Sequence, residues 1–230
     1  MKQNYVISVD WLQVFCTGSS DPSAIPSGNF EGKPFWLRKR SYGSSLWCRI
    51  ADIIWQDWEV AEICWMPRSS AIRSDAYSVR LTNRVLYSQK FMSLLAELIG
   101  HYELTYQGIT RIDVCYDCNL LKDEKKVPWL IREYLFAQPC QEGHIIRKGS
   151  NRFEVFGKRS QDGATEYTAI RFGSKNSNIG AYAYNKSLEL LEVKDKPWIR
   201  EVWEKNGLVH ETRYDEWAAL KEYERNRHIN

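Results

Sequence analysis

Residues Ile109-Thr-Arg-Ile-Asp-Val-Cys-Tyr-Asp117 alternate ionisable or polar side chains with apolar ones, and this period of two is the strongest constraint on the fold. On a strand, Arg111, Asp113, Cys115 and Asp117 share one face, while Ile112, Val114 and Tyr116 share the other. The sequence supplies other strands to pair with it. Tyr5 to Phe15 carries strand formers on both parities and reads as an early strand buried on both faces. Segments 46–55 and 58–66 flank the tight Gln56-Asp57 connection and read as a hairpin. Further strands are expected near 77–86, 152–157, 166–173, 180–185 and 208–214, with polar loops at 17–34 and 67–75.

Helical spacing is rarer. Phe91, Leu94, Leu95, Leu98 and Ile99 recur at that spacing, and Gly100 marks the stop. A second helix is expected at 127–137 with Pro128 near its first turn, another from 186, and a short one near 197–205 ending at Gly207. The tail from Glu216 is charged and helical. Strands outnumber helices and most connections are hairpin-like. The expected fold is therefore α+β, an antiparallel sheet with helices packed on one face. A single domain over 1–230 is expected, with approximate halves 1–103 and 104–230 that look loosely duplicated.

Hydrophobic residues make up 43% and charged residues 27% of the 230, the balance of a soluble globular protein. No apolar run is long enough to cross a bilayer, and the start reaches Asp10 too soon for a signal peptide. A cytoplasmic protein with no membrane partner is the expectation. The net charge of +3 does not by itself announce a nucleic-acid binder, so distribution matters more. Arg147, Lys148, Arg152, Lys158, Arg159, Arg171 and Lys175 face only Glu154, Asp162 and Glu166 over the same stretch, and Arg38-Lys39-Arg40 forms a second cluster. Each reads equally as a solvated surface or as a phosphate-contacting face. Most of the ten tryptophans should pack in the core or on the sheet.

Three constellations could carry chemistry. Asp113 in mid-strand is costly unless paired or metal-bound; Arg111 could pair with it, or Asp113 could help to hold a divalent cation. Leu208-Val-His-Glu-Thr-Arg-Tyr214 places Glu211 on one face with Arg213. Glu211 beside Asp113 would suit Mg²⁺ or Mn²⁺, and a Glu–Arg ladder across strands is an equal reading. Around Tyr182 and Tyr184, the small residues Gly180, Ala181 and Ala183 leave room for another backbone or a substrate, and Lys186 follows Tyr184 by two. Only about one free tyrosine in a thousand is phenolate at neutral pH, so an ammonium or metal would be needed to activate one as a nucleophile. On the residues alone, Tyr184 reads as a packing aromatic. Cys115, Cys118, Cys140 and His144 admit a zinc spacing, but Cys115 sits inside the alternating strand and the second pair is not C-x2-C. Reduced, partly buried thiols are the simpler reading.

At these residues the chain resembles the replication initiation factor family, the Rep-trans group of rolling-circle plasmid initiators and conjugative-element relaxases. Val9-Asp10-Trp11-Leu12 is similar to the family's Asp-aromatic-Leu opening, and Ile109-Thr-Arg-Ile-Asp113 to its Thr-Arg-hydrophobe-Asp strand. Arg171-Phe-Gly-Ser174 with Lys175 and Ser177 resembles the Tyr/Phe-Gly-Ser element, and Ala183-Tyr-Asn-Lys-Ser-Leu-Glu189 the Tyr-x-Lys-x-x-Glu segment that carries the nucleophile. The resemblance implies an antiparallel-sheet nickase architecture related to the HUH (His-hydrophobe-His) endonucleases. It also implies a divalent Mg²⁺ or Mn²⁺ cofactor, DNA as partner at an origin hairpin or single-stranded nick site, homodimers and a host helicase. Tyr184 would attack the scissile phosphate, with Lys186 stabilising the phenolate or contacting the phosphate.

The chain also departs from the pattern. His101, His144, His210 and His228 form no His-hydrophobe-His triplet, which moves the implied metal ligands to Asp113 and Glu211. Tyr182 stands where plasmid members commonly carry Arg. The chain is short for the family. Two further classes remain: a non-catalytic origin-binding protein on the same fold, and a phage structural or interaction protein.

Overall fold

The computed structural model describes residues 5–118, 153–159, 165–172, 180–184 and 196–208, with Lys186 and Leu190 as isolated positions. The chain divides into two compact units, Lys2–Cys118 with Pro197–Val209, and Asn119–Lys196 with His210–Asn230.

The first unit is built on a seven-stranded antiparallel sheet in the order β2-β3-β4-β5-β6-β1-β7. Its strands are β1 (Tyr5–Thr17), β2 (Gly28–Phe30), β3 (Lys33–Lys39), β4 (Trp47–Trp55), β5 (Trp58–Pro67), β6 (Ala76–Leu81) and β7 (Thr105–Cys118). The Gln56-Asp57 hairpin forms as the sequence suggests. Both residues take positive φ, 49° and 65°, the turn whose twist matches that of the flanking strands. Glu31 and Gly32 repeat the device at 52° and 72° between β2 and β3. This second hairpin lies partly in the stretch expected as loop. Gly28-Asn-Phe30 is too short for a two-residue period to register, and a Cβ at Gly28 would run into the Phe35 ring.

β6 is shorter than the expected strand. It stops at Leu81, and α1 (Asn83–Leu86) follows. Thr82 marks the change: its N–H donates to Val60 O at 2.9 Å and its hydroxyl to Glu59 O at 2.9 Å, tying the turn to β5. α2 (Phe91–His101) buries Leu94, Leu95 and Leu98 against the sheet core of Leu12, Val14, Ile63 and Val79. Gly100 lies inside α2 rather than beyond it, and Glu103, at φ 53°, makes the left-handed turn that ends the segment. α+β with helices on one face of an antiparallel sheet is thus the observed class. α3 (Pro197–Lys205) sits where a short helix is expected; Gly207, at φ 67°, closes it, and Leu208 N–H donates to Trp203 O at 2.9 Å.

β1 is not buried along its whole length. The register skips Asp10 between Val9 and Trp11, a bulge that swaps the strand's faces, so Val9 lines the same cleft as Leu12 and Val14. Beyond the bulge Tyr5 and Ile7 are exposed, as are Val114 and Tyr116 on β7. The cleft, about 470 Å³, is walled by apolar and aromatic side chains from β1, β7 and α2.

In the second unit, β8 (Phe153–Arg159), β9 (Thr165–Phe172) and β10 (Ala181–Tyr184) form a three-stranded antiparallel sheet in the order β10-β9-β8. The helix expected at 127–137, the body of the one from 186, the strand residues after Leu208 and the charged tail lie outside the described residues. Among the described residues no helix is long and apolar enough to cross a membrane.

Candidate functional site

Charged side chains of the seven-stranded sheet are largely consumed by one another. Asp52, with its side chain 7% exposed, accepts from Arg38 Nη2 at 3.1 Å and from Arg40 Nε at 3.0 Å. Arg40 continues to Glu62 at 2.8 Å, Arg80 meets the same Glu62 at 3.1 Å, and Arg38 also pairs with Glu59. Burial pushes the Asp52 carboxyl up, but the guanidiniums of Arg40 and Arg38 outweigh it and hold the group below its usual range. In the Arg38-Lys39-Arg40 cluster, both arginines therefore serve the sheet.

The next rung is Trp11, whose ring lies between Arg80 at 4.6 Å and Arg111 at 4.3 Å. Arg111 also grips Asp113 with a two-pronged fork, Nε to Oδ1 at 3.0 Å and Nη2 to Oδ2 at 2.6 Å. The hydrogen bonds to Asp113 push the Arg111 guanidinium further up. The structure thus contains the Arg111–Asp113 pair that the strand's alternation allows. Asp113 is only half-buried. The carboxylate that β7 buries is Asp117, which accepts from Trp203 Nε1 at 2.9 Å and from Cys115 Sγ at 3.0 Å.

Among the described residues no group of three or more His, Cys, Asp or Glu side chains could hold a metal. Asp113 is one of the two expected ligands; Glu211 lies outside the described residues, as do Cys140 and His144 of the zinc spacing. The other buried thiols fit the simpler reading. Burial pushes Cys16 up to about 11 and Cys64 up to about 12, which keeps both protonated at neutral pH.

β10 carries the nucleophile candidate. Its register pairs Tyr184 with Ala169 and Tyr182 with Arg171 of β9. Tyr182 and Tyr184, two apart on a strand, share a face, with ring centroids 5.1 Å apart and planes at 32°. The Arg171 guanidinium stands 5.6 Å from the centre of the Tyr182 ring. Tyr184 is half-buried, Tyr182 is exposed and Lys186 is buried. One strand face thus carries two neighbouring phenols, with a guanidinium over the ring of the exposed one. Lys158 and Arg159 belong to β8, paired with Glu166 and Thr165, while Arg147, Lys148, Arg152 and Lys175 lie outside the described residues.

Three residues that the structure brings forward carry no role in the sequence patterns. Asp10 occupies the β1 bulge and accepts from Asn83 Nδ2 at 2.7 Å and Tyr87 OH at 3.2 Å. Its signal was a carboxylate between Val9 and Trp11 in an otherwise apolar strand. Asp117 had the parity of a buried group but no visible partner, because Trp203 is distant in sequence. Tyr182 was noted as part of a small-residue setting and as standing where plasmid members commonly carry Arg.

No family model matches the chain, and no curated protein matches it. Among solved structures, the chain is similar to a rolling-circle replication initiator protein from Geobacillus stearothermophilus. The identity is 17% over 81% of this chain and 69% of that one, with a TM-score of 0.47.

Proposed function

We propose that the chain is a rolling-circle replication initiator or relaxase, of HUH-related architecture, that nicks and rejoins origin DNA through Tyr184. The observation that carries this reading is the placement of the half-buried Tyr184 on one strand face with Tyr182, over whose ring Arg171 lies, with the buried Lys186 two residues on. The four motif resemblances supply the role. Tyr184 Oη attacks the scissile phosphorus and loses its proton. A phosphorus–Oη bond forms as the bond to the 3′ oxygen breaks, and that oxygen takes up a proton to leave a free 3′-hydroxyl. Because one ester is exchanged for another, the 3′-hydroxyl can later attack the phosphotyrosine and reseal the strand without ATP. Lys186 stabilises the phenolate or contacts the phosphate.

Asp113 and Glu211 are the proposed holders of Mg²⁺ or Mn²⁺, which would supply charge neutralisation at the phosphate. The basic residues Arg147, Lys148, Arg152, Lys158 and Arg159, with Arg171 and Lys175, are the proposed grip on origin DNA. Replacing them should weaken binding and flatten its salt dependence. A homodimer and a host helicase are the further proposed partners, in the cytoplasm.

One observation favours a second reading, an origin-binding protein that no longer nicks: Arg111 engages both oxygens of Asp113. Labelled single-stranded fragments of the DNA flanking its gene, incubated with the protein and Mn²⁺, separate the two. A denaturation-resistant adduct absent from Tyr184→Phe supports the nickase. Binding without an adduct supports the second reading, and neither result supports a structural or interaction protein.

A further inference from the structure

Carboxylates match most arginines of the seven-stranded sheet, but not at one of its ends. There the loop 40–46, between β3 and β4, is bonded to the loop 68–75, between β5 and β6. From Arg38 to Arg49 the sequence holds cations and no carboxylate, and the same is true from Arg68 to Ser74. Asp52, Glu59 and Glu62 take Arg38 and Arg40, and Asp75 takes Arg73 at 2.7 Å. Lys39, Arg49 and Arg68 are exposed and form no ion pair among the described residues. Lys39 lies opposite Ala51, which makes it a diagonal neighbour of Arg49 on the same face. Asp21 feels both charges: burial pushes its carboxyl up, while the hydrogen bonds from Ser23 and the charges of Lys39 and Arg49 hold it below its usual range. Asp21 alone does not balance Lys39, Arg49 and Arg68, so this end of the sheet is positive.

The two loops are also fixed in shape. Arg68 N–H donates to Leu46 O at 2.9 Å and Arg68 Nε to Ser44 O at 2.7 Å. Ser44 Oγ accepts from the N–H groups of Leu46 and Trp47 at 3.3 and 3.1 Å. A Cβ at Gly43 would stand 2.3 Å from Trp47 O, so the tight turn needs glycine. A surface held in shape beforehand loses little freedom on binding. Ser41, Tyr42, Ser45 and Ser70, all exposed, set hydroxyl donors among the cations. Lys and Arg together with Ser and Tyr hydroxyls are the groups that proteins place on phosphate oxygens.

We propose that the paired loops 40–46 and 68–75, with Lys39, Arg49 and Arg68 as the charged contacts, grip the phosphate backbone of duplex DNA. The proposal rests on the nickase reading for taking the polyanion as DNA. It adds a contact surface on the first unit to the basic residues of the second. Backbone contacts carry no base information, so this surface holds the duplex and does not read the origin.

The test measures binding of the full-length protein to a duplex of arbitrary sequence over a series of salt concentrations. The triple variant Lys39→Gln, Arg49→Gln, Arg68→Gln should bind roughly tenfold or more weakly near 0.1 M salt, with a dependence of log affinity on log salt shallower by about 2 to 3. Lys39→Gln and Arg49→Gln alone, which break no hydrogen bond, should each lower that slope by about 1, so the result does not depend on Arg68 and its hold on Ser44. Arg73→Gln, whose charge Asp75 already matches, should keep the wild-type slope. The charge-preserving triple variant Lys39→Arg, Arg49→Lys, Arg68→Lys should keep it too. Thermal unfolding of each variant confirms a folded protein. Four results overturn the assignment: no duplex binding by wild type, an unchanged slope in the glutamine variants, an equal loss in Arg73→Gln, or the same loss in the charge-preserving variant. The Tyr184→Phe adduct assay is run in parallel. An adduct in wild type with an unchanged slope in the glutamine variants removes the loop contacts and leaves the nickase; a lowered slope with no adduct does the reverse.

Discussion

The seven-stranded sheet and the three-stranded sheet use the same side-chain chemistry to opposite ends. In the first, arginines close on an aromatic ring and on carboxylates until each is occupied: Arg80 and Arg111 on Trp11, Arg38 and Arg40 on Asp52, Arg111 on Asp113. In the second, Arg171 lies over the exposed Tyr182 ring at 5.6 Å from its centre, beside the half-buried Tyr184. Saturated charge stabilises a sheet face. The second sheet instead carries Tyr184, the residue proposed for the chemistry on DNA. Substitutions in these pairs of the first sheet should therefore be felt as stability, and those in the second sheet as binding and chemistry.

The largest stability effect is expected at Trp11. Trp11→Ala removes a half-buried ring and the stacking surface of two guanidiniums, and should cost about 3 kcal/mol, read as a lower denaturant midpoint. Tyr182→Ala should stay within about 0.5 kcal/mol of wild type in the same experiment, as an exposed position does. Equal losses at the two sites would end the comparison.

Asp52→Asn comes next. It leaves Arg40 and Arg38 short of their shared carboxylate and should cost about 2 kcal/mol. Its pH dependence sharpens the point. The folded-state value lies below the unfolded one, so Asp52 contributes stability above the usual carboxylate range near 3.9 and loses it as pH falls through the depressed value. Wild type should therefore lose stability below about pH 4, and Asp52→Asn should show a shallower loss there in chemical denaturation at stepped pH.

Asp113→Asn is the smallest in stability and the most informative about the metal. The pair it breaks is 54% and 41% exposed, so less than about 1 kcal/mol should be lost. If Asp113 holds the cation in the active protein, the Mn²⁺ concentration needed for adduct formation should rise well beyond what that small change explains. An unaltered Mn²⁺ requirement would return Asp113 to the same structural class as Asp52.

Period and turn chemistry made much of the first sheet legible. The alternation in β7 separates its two faces without help from distant residues, and Gln56-Asp57 announces its own turn. Long-range partners were invisible. Asp113 and Asp117 have identical parity, and only the arrival of Trp203 from α3 decides which carboxylate is buried. The boundary between β6 and α1 was hidden because Val85 and Leu86 supply further strand-forming residues after Thr82-Asn-Arg84, while the tie that ends the strand lies on β5. The candidate site was less legible still. Nothing in the period of β10 distinguishes Tyr184 from a packing residue, and its proposed role came from motif resemblance. The guanidinium over the Tyr182 ring comes from a cross-strand neighbour that no local pattern reveals.

Whether Tyr184 is the nucleophile is read from the covalent adduct itself. Wild type and Tyr184→Phe, matched for folding by thermal unfolding, are incubated with Mn²⁺ and labelled single strands from the DNA flanking the gene, then denatured and resolved by size. A labelled band at the mass of protein plus the 5′-phosphorylated fragment is expected for wild type, and none for Tyr184→Phe. A band of equal intensity in Tyr184→Phe, or a wild type that binds these strands tightly and never forms one, would contradict it.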